Sequence, residues 1–383
     1  MMTNTKHVLR SAIQMIHAIS YRFCCDANLP SLRNQDHWCE TLQSSANCAI
    51  GDMENSDIPD VRMTSIPLDC SPTDTRRSQP ANAGAKSKSF PLDGCDISQV
   101  SDETLTTLFD TAPALHSYEG TRIVHVSHAL VLKGGIGARP SEANILNLVA
   151  ECDGSETIRV PKVYRVLNIE PDEIYGYKCI ILLDFIDGVS VEQCWGDLKQ
   201  TERMNVVSQV ASMITTLRSI PLSQEQQDQP GPVGCEGCVA HGYWFTDIGA
   251  GPFRSKEHME TWFNRRLDIT KKFHQAPNDV PLFHFDKLVL THMDIAPRNL
   301  ILGSDRKVWL IDWGDAGIYP DGFEIASLKA RRFESPEYTD MLLEILSNMI
   351  PEHEELLQQL RSIAFALTTG QWLGRERLDF GQI

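Results

Sequence analysis

The stretch HMDIAPRNLILGSDRKVWLID, residues 292–312, decides the fold. Pro297 prevents a regular helix, so the segment that leads to Asn299 is predicted to be a rigid loop. Two short apolar runs follow, NLIL and VWLID, with GSD between them, and this pattern predicts a hairpin. Pairing of the two strands would put Asn299 and Asp312 at the same end of the hairpin, with Asp294 in the loop just before it.

These three residue types suit phosphoryl transfer. An amide oxygen and a carboxylate that face one point are hard oxygen ligands, which Mg²⁺ prefers while it keeps waters and substrate phosphates. Asn299 and Asp312 are therefore the predicted metal ligands. Asp294 is then free to orient a substrate hydroxyl and to accept its proton, so it is the predicted catalytic base.

The pattern of the chain changes twice along its 383 residues. Residues 1–98 are predicted to be a mostly disordered extension, because the stretch 71–94 is rich in Ser, Pro, Ala, Asn and Lys. The hydrophobic pattern of residues 99–190 predicts a helix, two strands, a helix and two strands, followed by a hinge. Residues 191–383 show mainly helical periodicity. This order predicts an α+β architecture with a small sheet-rich lobe and a larger helical lobe.

Composition narrows the classes of partner and the location. The net charge of −16 opposes binding to the nucleic-acid backbone, and no apolar run reaches the ~18–20 residues that span a bilayer. The eleven cysteines are scattered, as is typical of reduced thiols in an intracellular protein. The first acid is Asp26, and Lys6, Arg10 and Arg22 precede it. We expect a cytoplasmic monomer that binds a small molecule, with mitochondrial import as the alternative.

A resemblance to a known family rests on the same residues. His292, Asp294 and Asn299 form the pattern HxDxxxxN, and Asp312 follows thirteen positions after Asn299 within IDW. This combination resembles the aminoglycoside phosphotransferase and choline-kinase branch of the protein-kinase-like fold, and especially the phosphotransferase-family proteins of filamentous fungi. The resemblance covers about residues 105–370. It implies the two-lobed kinase-like fold, with Asp294 as catalytic base, Asn299 and Asp312 on Mg²⁺, and His292 bracing the loop.

The resemblance also implies a nucleotide site upstream. Lys133 closes the apolar strand ALVLK, and Glu142 follows nine positions later in a helical segment. In the kinase-type pattern a strand lysine touches the phosphates and a helix glutamate holds the lysine, so Lys133 and Glu142 receive those roles. The segment LLDFIDGVS, with Asp184 and Ile186, resembles the family's hinge, whose backbone receives the adenine. The implied cofactors are ATP and Mg²⁺, and the implied acceptor is a hydroxyl of a small molecule.

Departures from the family pattern leave an alternative function open. Met293 stands where the family usually has glycine, and the segment before Lys133 offers Gly120 alone instead of a glycine-rich phosphate loop. A catalytically weak or inactive nucleotide-binding protein is therefore the alternative to a small-molecule kinase. A kinase acting on protein Ser or Thr is the least favoured, because Asp312 lies in IDW and no APE follows it. The aromatic residues of the segment 231–253 would line the acceptor pocket or belong to the core.

Overall fold

The computed structural model describes most of the chain from residue 89 onward. The described residues are 89–118, 120–135, 137–152, 154, 156–172, 176–234 and 237–371. The predicted disorder of residues 1–88 lies outside them. Residues 89–98, which sequence analysis joins to the extension, lie against the first sheet: Leu92 is buried and donates its N–H to Val126, and the carboxylate of Asp93 accepts the N–H groups of Phe90 and His128.

The strands fall into a large sheet and two small ones. Their bounds are β1 Ala114–Tyr118, β2 Thr121–Ser127, β3 Leu130–Gly135, β4 Val163–Asp172, β5 Gly176–Asp184, β6 Val189–Ser190, β7 Leu288–Thr291, β8 Leu300–Leu302, β9 Val308–Leu310 and β10 Gly317–Pro320. The first five form one antiparallel sheet in the order β1-β2-β3-β5-β4. Strands β6, β8 and β9 form the second sheet, and β7 pairs with β10.

Helices surround and follow these strands. The α-helices are α1 Asp102–Thr111, α2 Pro140–Glu151, α3 Val191–Cys194, α4 Gln200–Ser219, α5 Gln224–Asp228, α6 Lys256–Lys272, α7 Phe323–Ala330, α8 Pro336–Leu346, α9 Glu354–Ser362 and α10 Ala364–Leu367. Single 3₁₀ turns lie at Ile97–Gln99, Trp195–Asp197, Pro297–Asn299 and Arg332–Glu334. The predicted α+β plan, a small sheet-rich lobe followed by a helical lobe, is confirmed.

The five-stranded sheet buries both of its faces. Side chains alternate across a strand, so Leu132 and Leu182 pack in a cluster with α1, whereas Val131 and Ile181 belong to the core that contains α2 and α4. Lys133, two positions after Val131, therefore points to the α2 side of the sheet. The alternation thus decides which helix meets the lysine.

Strand β1 is one of the elements that the sequence pattern does not predict. Its sequence ALHSY has little apolar character, and the side chain of Leu115 is largely exposed. An edge strand needs to bury only part of its surface, so its hydrophobic pattern is weak. The strand matters for the site because the turn between β1 and β2 contains Gly120.

The helical lobe has an aromatic core of its own. Phe263 of α6 contacts Phe283, Phe285 and Phe323, with ring centroids 5.1–5.6 Å apart. Met293 is fully buried in the same cluster. The loop that starts at residue 292 is therefore anchored directly in this core.

Two observations bear on the environment of the chain. No helix among the described residues is both long and apolar enough to cross a membrane. Cys179 and Cys194 are thiols, whereas Cys238 forms a disulfide bond. The prediction of reduced cysteines therefore holds for only part of the described chain.

Candidate active site

The predicted hairpin positions two of the candidate residues. Strands β8 and β9 pair with Leu300 opposite Leu310, and the turn closes where Gly303 donates its N–H to the carbonyl of Lys307 at 2.9 Å. Beyond the pairing, the N–H of Ile311 donates to the carbonyl of Asn299 at 3.0 Å. Asn299 and the segment that leads to Asp312 therefore lie at the same end, as predicted.

Lys133 joins the two lobes. Its ammonium lies 2.6 Å from Glu142 Oε1 and 2.6 Å from Asp312 Oδ1. Lys133 and Glu142 are buried, and the side chain of Asp312 is 51% exposed. Glu142 lies on the buried face of α2, one turn before Ile145, so helix and strand periodicity together bring its side chain to the lysine. The Lys133–Glu142 pair predicted from sequence is present.

Charge pairing controls the protonation of this cluster. Burial alone would lower the pKa of Lys133, but the carboxylates of Asp312 and Glu142 outweigh it and raise the pKa above its usual range. The same ammonium holds the pKa of Asp312 at about 2. Burial raises the pKa of Glu142, and Lys133 opposes that shift. Asp312 therefore stays ionised at neutral pH and has one oxygen, Oδ2, outside the contact with Lys133.

The carboxylate of Asp294 accepts hydrogen bonds from three side chains. Arg298 Nη2 donates to Oδ1 at 2.6 Å and to Oδ2 at 2.8 Å, and Arg331 Nη1 also donates to Oδ1. Asn299 Nδ2 donates to Oδ2 at 2.8 Å and to the carbonyl of Asp294 at 2.9 Å. A carboxylate has about four lone-pair positions, and these four contacts occupy them. The amide oxygen of Asn299 takes no part in these contacts.

A second carboxylate closes the network around Asp294. Glu334 accepts from Arg298 Nη1 at 2.7 Å and from Arg331 Nε at 2.8 Å. Arg331 and Glu334 are not among the site residues predicted from the sequence. They lie at the end of α7, more than thirty positions after Asp294, and no spacing rule connects the two segments. The only sequence signal is their polar character, RRFE, between two helices.

A buried carboxylate holds the start of the loop from below. Glu324 Oε2 accepts the N–H of His292 at 2.6 Å and the N–H of Met293 at 3.1 Å. Burial raises the pKa of Glu324 to about 7. His292 Nδ1 accepts the N–H of Asp294, and its Nε2 faces the carbonyl of Ile311 at 3.1 Å. Burial lowers the pKa of His292 to about 4, so it is neutral and donates through Nε2.

Met293 has the backbone conformation that favours glycine. Its φ is 70°, in the left-handed region, where an L side chain is strained. The side chain is fully buried, in contact with Ser327 Oγ through its sulfur at 3.8 Å. The departure noted in the sequence is thus accommodated: packing of the thioether in the aromatic core opposes the cost of the backbone.

The predicted hinge is partly engaged by its own lobe. The carboxylate of Asp184 accepts the N–H of Lys162 and the hydroxyl of Tyr164, and its own N–H donates to the carbonyl of Lys162. Phe185 donates its N–H to the carbonyl of Ala129. For Ile186 the described residues provide no backbone hydrogen bond.

The turn between β1 and β2 packs closely against the end of β3. Gly120 has φ 78°, and a Cβ added at Gly135 would lie 2.1 Å from the carbonyl oxygen of Gly120. The backbones of this turn and of the end of β3 can approach this closely only because Gly135 has no side chain. Gly120 and Gly135 therefore form a compact turn in place of a long glycine-rich loop.

Arg139 links the start of α2 to the segment after Asp312. Its Nη1 donates to the carbonyl of Gly314 at 2.9 Å and lies 3.4 Å from Asp315 Oδ1. Asp315, which is not among the site residues predicted from the sequence, thus helps to hold the loop that carries Asp312. In the segment 231–253, Trp244 and Phe245 are buried in the aromatic core, which favours a core role over an acceptor pocket for these aromatic residues.

The comparison with protein families decides the membership of the chain. Residues 136–356 match the model of the phosphotransferase enzyme family, APH, and this range is more than half of the chain. The chain belongs to the phosphotransferase enzyme family. Among curated proteins, none matches the sequence.

Solved structures resemble this family member at low identity. Aminoglycoside phosphotransferase APH(4)-Ia is 17% identical, with a TM-score of 0.44 over 70% of this chain and 87% of that one. A thermostable mutant of that enzyme in a ternary complex with ADP and hygromycin B is 18% identical, with a TM-score of 0.43 over 71% and 92%. The gentamicin complex of APH(2")-IIa is 14% identical, with a TM-score of 0.42 over 69% and 85%. The family assignment rests on the family model alone.

In this phosphotransferase-family chain the predicted residues fall into two groups. Lys133, Glu142 and Asp312 are in direct contact, and Asp294 and Asn299 are in direct contact. The hinge residues touch neither group through a hydrogen bond in the described part of the chain.

Proposed function

We propose that this chain transfers the γ-phosphoryl group of ATP, with Mg²⁺, to a hydroxyl of a small molecule. The single observation that carries the proposal is the position of the Lys133 ammonium, 2.6 Å from two carboxylates that come from different lobes. One of these, Asp312, lies on the hairpin whose other strand begins at Asn299, and Asn299 holds Asp294. Membership of the phosphotransferase family supports the same function.

The cluster of Lys133, Glu142 and Asp312, called here the nucleotide end, supports a role in phosphate binding. Its two carboxylates share one ammonium, so it has one net negative charge when all three groups are ionised. When a nucleotide enters, the ammonium of Lys133 would exchange Asp312 for a phosphate while Glu142 keeps it in place. The backbone of Ile186 would receive the adenine, beside the engaged N–H of Asp184.

The residues present fit Mg²⁺. Asp312 is half exposed and ionised, with Oδ2 outside its ion pair, and Asn299 has its amide oxygen outside its hydrogen bonds. Mg²⁺ is usually held by one or two protein oxygens together with substrate phosphates and waters, so two ligands suffice. Asn299 and Asp312 would hold the ion, which when bound neutralises charge on the phosphates.

Asp294, with Arg298, Arg331 and Glu334, forms what we call the acceptor end. Asp294 would orient the acceptor hydroxyl and take its proton. The acceptor oxygen forms a bond to the γ-phosphorus, the bond from that phosphorus to the bridging oxygen breaks, and ADP leaves with the bonding electron pair. Each proton and electron pair is then accounted for within the acceptor, ATP and Asp294.

A second candidate is a nucleotide-binding protein without transfer activity. The observation that favours it is the engagement of Asp294: all of its oxygen positions are occupied by donors. The compact turn at Gly120 also offers fewer backbone N–H groups to phosphates than a glycine-rich loop.

Release of ADP from Mg-ATP tests the proposal and separates the candidates. Asp294→Asn keeps the size of the side chain and removes the base, so turnover should fall by roughly 10²–10⁴-fold. Asp286→Asn, on a side chain that is 94% exposed, is the matched control and should leave turnover unchanged. Equal ADP release by wild type and Asp294→Asn would remove Asp294 from the mechanism. Binding of Mg-ATP with no ADP release from any acceptor would select the second candidate.

A further inference from the structure

The acceptor end contains two arginines whose placement the transfer reaction does not by itself require. The side chains of Asp294, Arg331 and Glu334 are 15%, 21% and 29% exposed, so their charges interact with little screening by water. Both guanidiniums contact both carboxylates, which makes the group closed and electrically neutral. In this state Asp294 has no oxygen position left for an acceptor hydroxyl.

The two arginines differ in how many contacts they make with Asp294. Arg298 belongs to the loop itself and spans both oxygens of Asp294 with one nitrogen. Arg331 follows the end of α7 and reaches only Oδ1 of Asp294. Arg331 also lines a narrow cleft beside Asp294, together with Ser327, Glu334 and Thr339. An acceptor that enters this cleft meets Arg331 next to the base.

The partners of Arg331 indicate what would replace Asp294. Its guanidinium is bound to two carboxylates, and a planar fork of N–H donors matches a carboxylate better than any neutral group. A carboxylate on the acceptor could take over the N–H that now serves Oδ1, which would free that oxygen for the hydroxyl. A cationic acceptor would instead be repelled by Arg331 at the position where its hydroxyl must bind.

The charge balance during transfer favours the same class of acceptor. When Asp294 takes the proton from the acceptor hydroxyl it becomes neutral, and the electron pair left on the acceptor oxygen forms the bond to phosphorus. The four side chains of the acceptor end thereby gain one net positive charge, while the negative charge passes to the phosphoryl group. A negative group on the acceptor neutralises that charge and is best bound when the proton moves.

We propose that the acceptor is a hydroxy carboxylate, whose carboxylate binds Arg331 and releases Asp294 for catalysis. This inference rests on the proposed function, since it assigns the substrate class of the same site. Arg331 then has two roles: it binds the acceptor, and without an acceptor it occupies an oxygen of Asp294. Neutral or cationic polyols of the same size should therefore be phosphorylated with low activity.

The test compares three acceptors that differ in charge at one end: gluconate, glucitol and glucamine. With Mg-ATP, wild type should release ADP with the lowest KM for gluconate and the highest for glucamine. Arg331→Gln should raise the KM for gluconate roughly ten- to hundredfold and change that for glucitol by only a few-fold. Glu334→Gln, which removes a competing carboxylate, should lower the KM for gluconate.

The neighbouring arginine is the matched control. Arg332 is 56% exposed and pairs with Asp340, away from the site, so Arg332→Gln should behave like wild type. Arg331→Lys keeps the charge without the fork and should be intermediate, and it replaces the Gln variant if that variant does not fold. A lowest KM for glucamine in wild type, or an equal rise in KM for all three acceptors in Arg331→Gln, would overturn the inference.

A binding measurement separates this inference from the proposed function. Gluconate, at matched ionic strength and without nucleotide, should raise the unfolding temperature of wild type and Arg332→Gln but not of Arg331→Gln. Absence of Mg-ATP binding would reject the proposed function, and the gluconate shift would still decide the inference. Equal shifts in all three proteins would reject the inference whatever the nucleotide result.

Discussion

The nucleotide end and the acceptor end of the site differ in how their charges are balanced. At the nucleotide end two carboxylates share the ammonium of Lys133, and Asp312 is half exposed. At the acceptor end two carboxylates share two guanidiniums, and Asp294 is fully engaged. The first arrangement leaves one negative charge for a cation to neutralise. The second is complete without a ligand, so a ligand must exchange partners to enter.

The largest expected effect is the loss of the shared ammonium. Lys133→Met leaves Glu142 buried without its partner, which should lower the free energy of unfolding by about 3–5 kcal/mol. Arg331→Gln should cost less, because Asp294 keeps Arg298 and Asn299. Unfolding in urea measures both values.

A double variant provides the control for that comparison. Lys133→Met combined with Glu142→Gln removes the buried charge as well and should recover part of the stability that the single variant loses. A loss in Arg331→Gln as large as that in Lys133→Met would show that the two ends are balanced alike.

The next effect concerns the anchor of the acceptor end in the core. Met293→Ala should lower the free energy of unfolding by about 2–5 kcal/mol, because the aromatic cluster loses a buried side chain. Met293→Gly empties the same space but relieves the left-handed backbone at φ 70°, so it should be about 1 kcal/mol more stable than the Ala variant. Thermal unfolding of the pair measures the difference. An Ala variant more stable than the Gly variant would contradict the backbone account.

A smaller effect depends on pH. The pKa of Glu324 is raised from 4.5 to about 7, so the fold favours its protonated form. Its contribution is full below pH 4.5 and is lost as the pH rises to 7, a change of up to about 3 kcal/mol. Glu324→Gln keeps an acceptor for the N–H groups of His292 and Met293 without this dependence. The stability of the variant relative to wild type should therefore grow between pH 4.5 and 7, and a constant difference would contradict the assignment.

Sequence reasoning predicts the nucleotide end better than the acceptor end. Lys133 and Glu142 are implied by the resemblance of their strand–helix order to the kinase-type pattern, and Asp312 follows from the hairpin register. Arg331 contacts Asp294, and Glu334 contacts Arg298, only because α7 packs against the loop, which is a tertiary contact without a local sequence signal. Strand β1 is not predicted for a different reason, because the sequence of an exposed edge strand has little hydrophobic pattern.

The binding of ATP with and without Mg²⁺ tests the central claim most directly, since the nucleotide end should need a cation. In calorimetric titrations, wild type should bind ATP roughly tenfold or more tightly with Mg²⁺ than with a chelator. Asp312→Asn should lose most of this gain, whereas Asp305→Asn, in the exposed hairpin turn, should retain it. An equal gain from Mg²⁺ in wild type and Asp312→Asn would contradict the account.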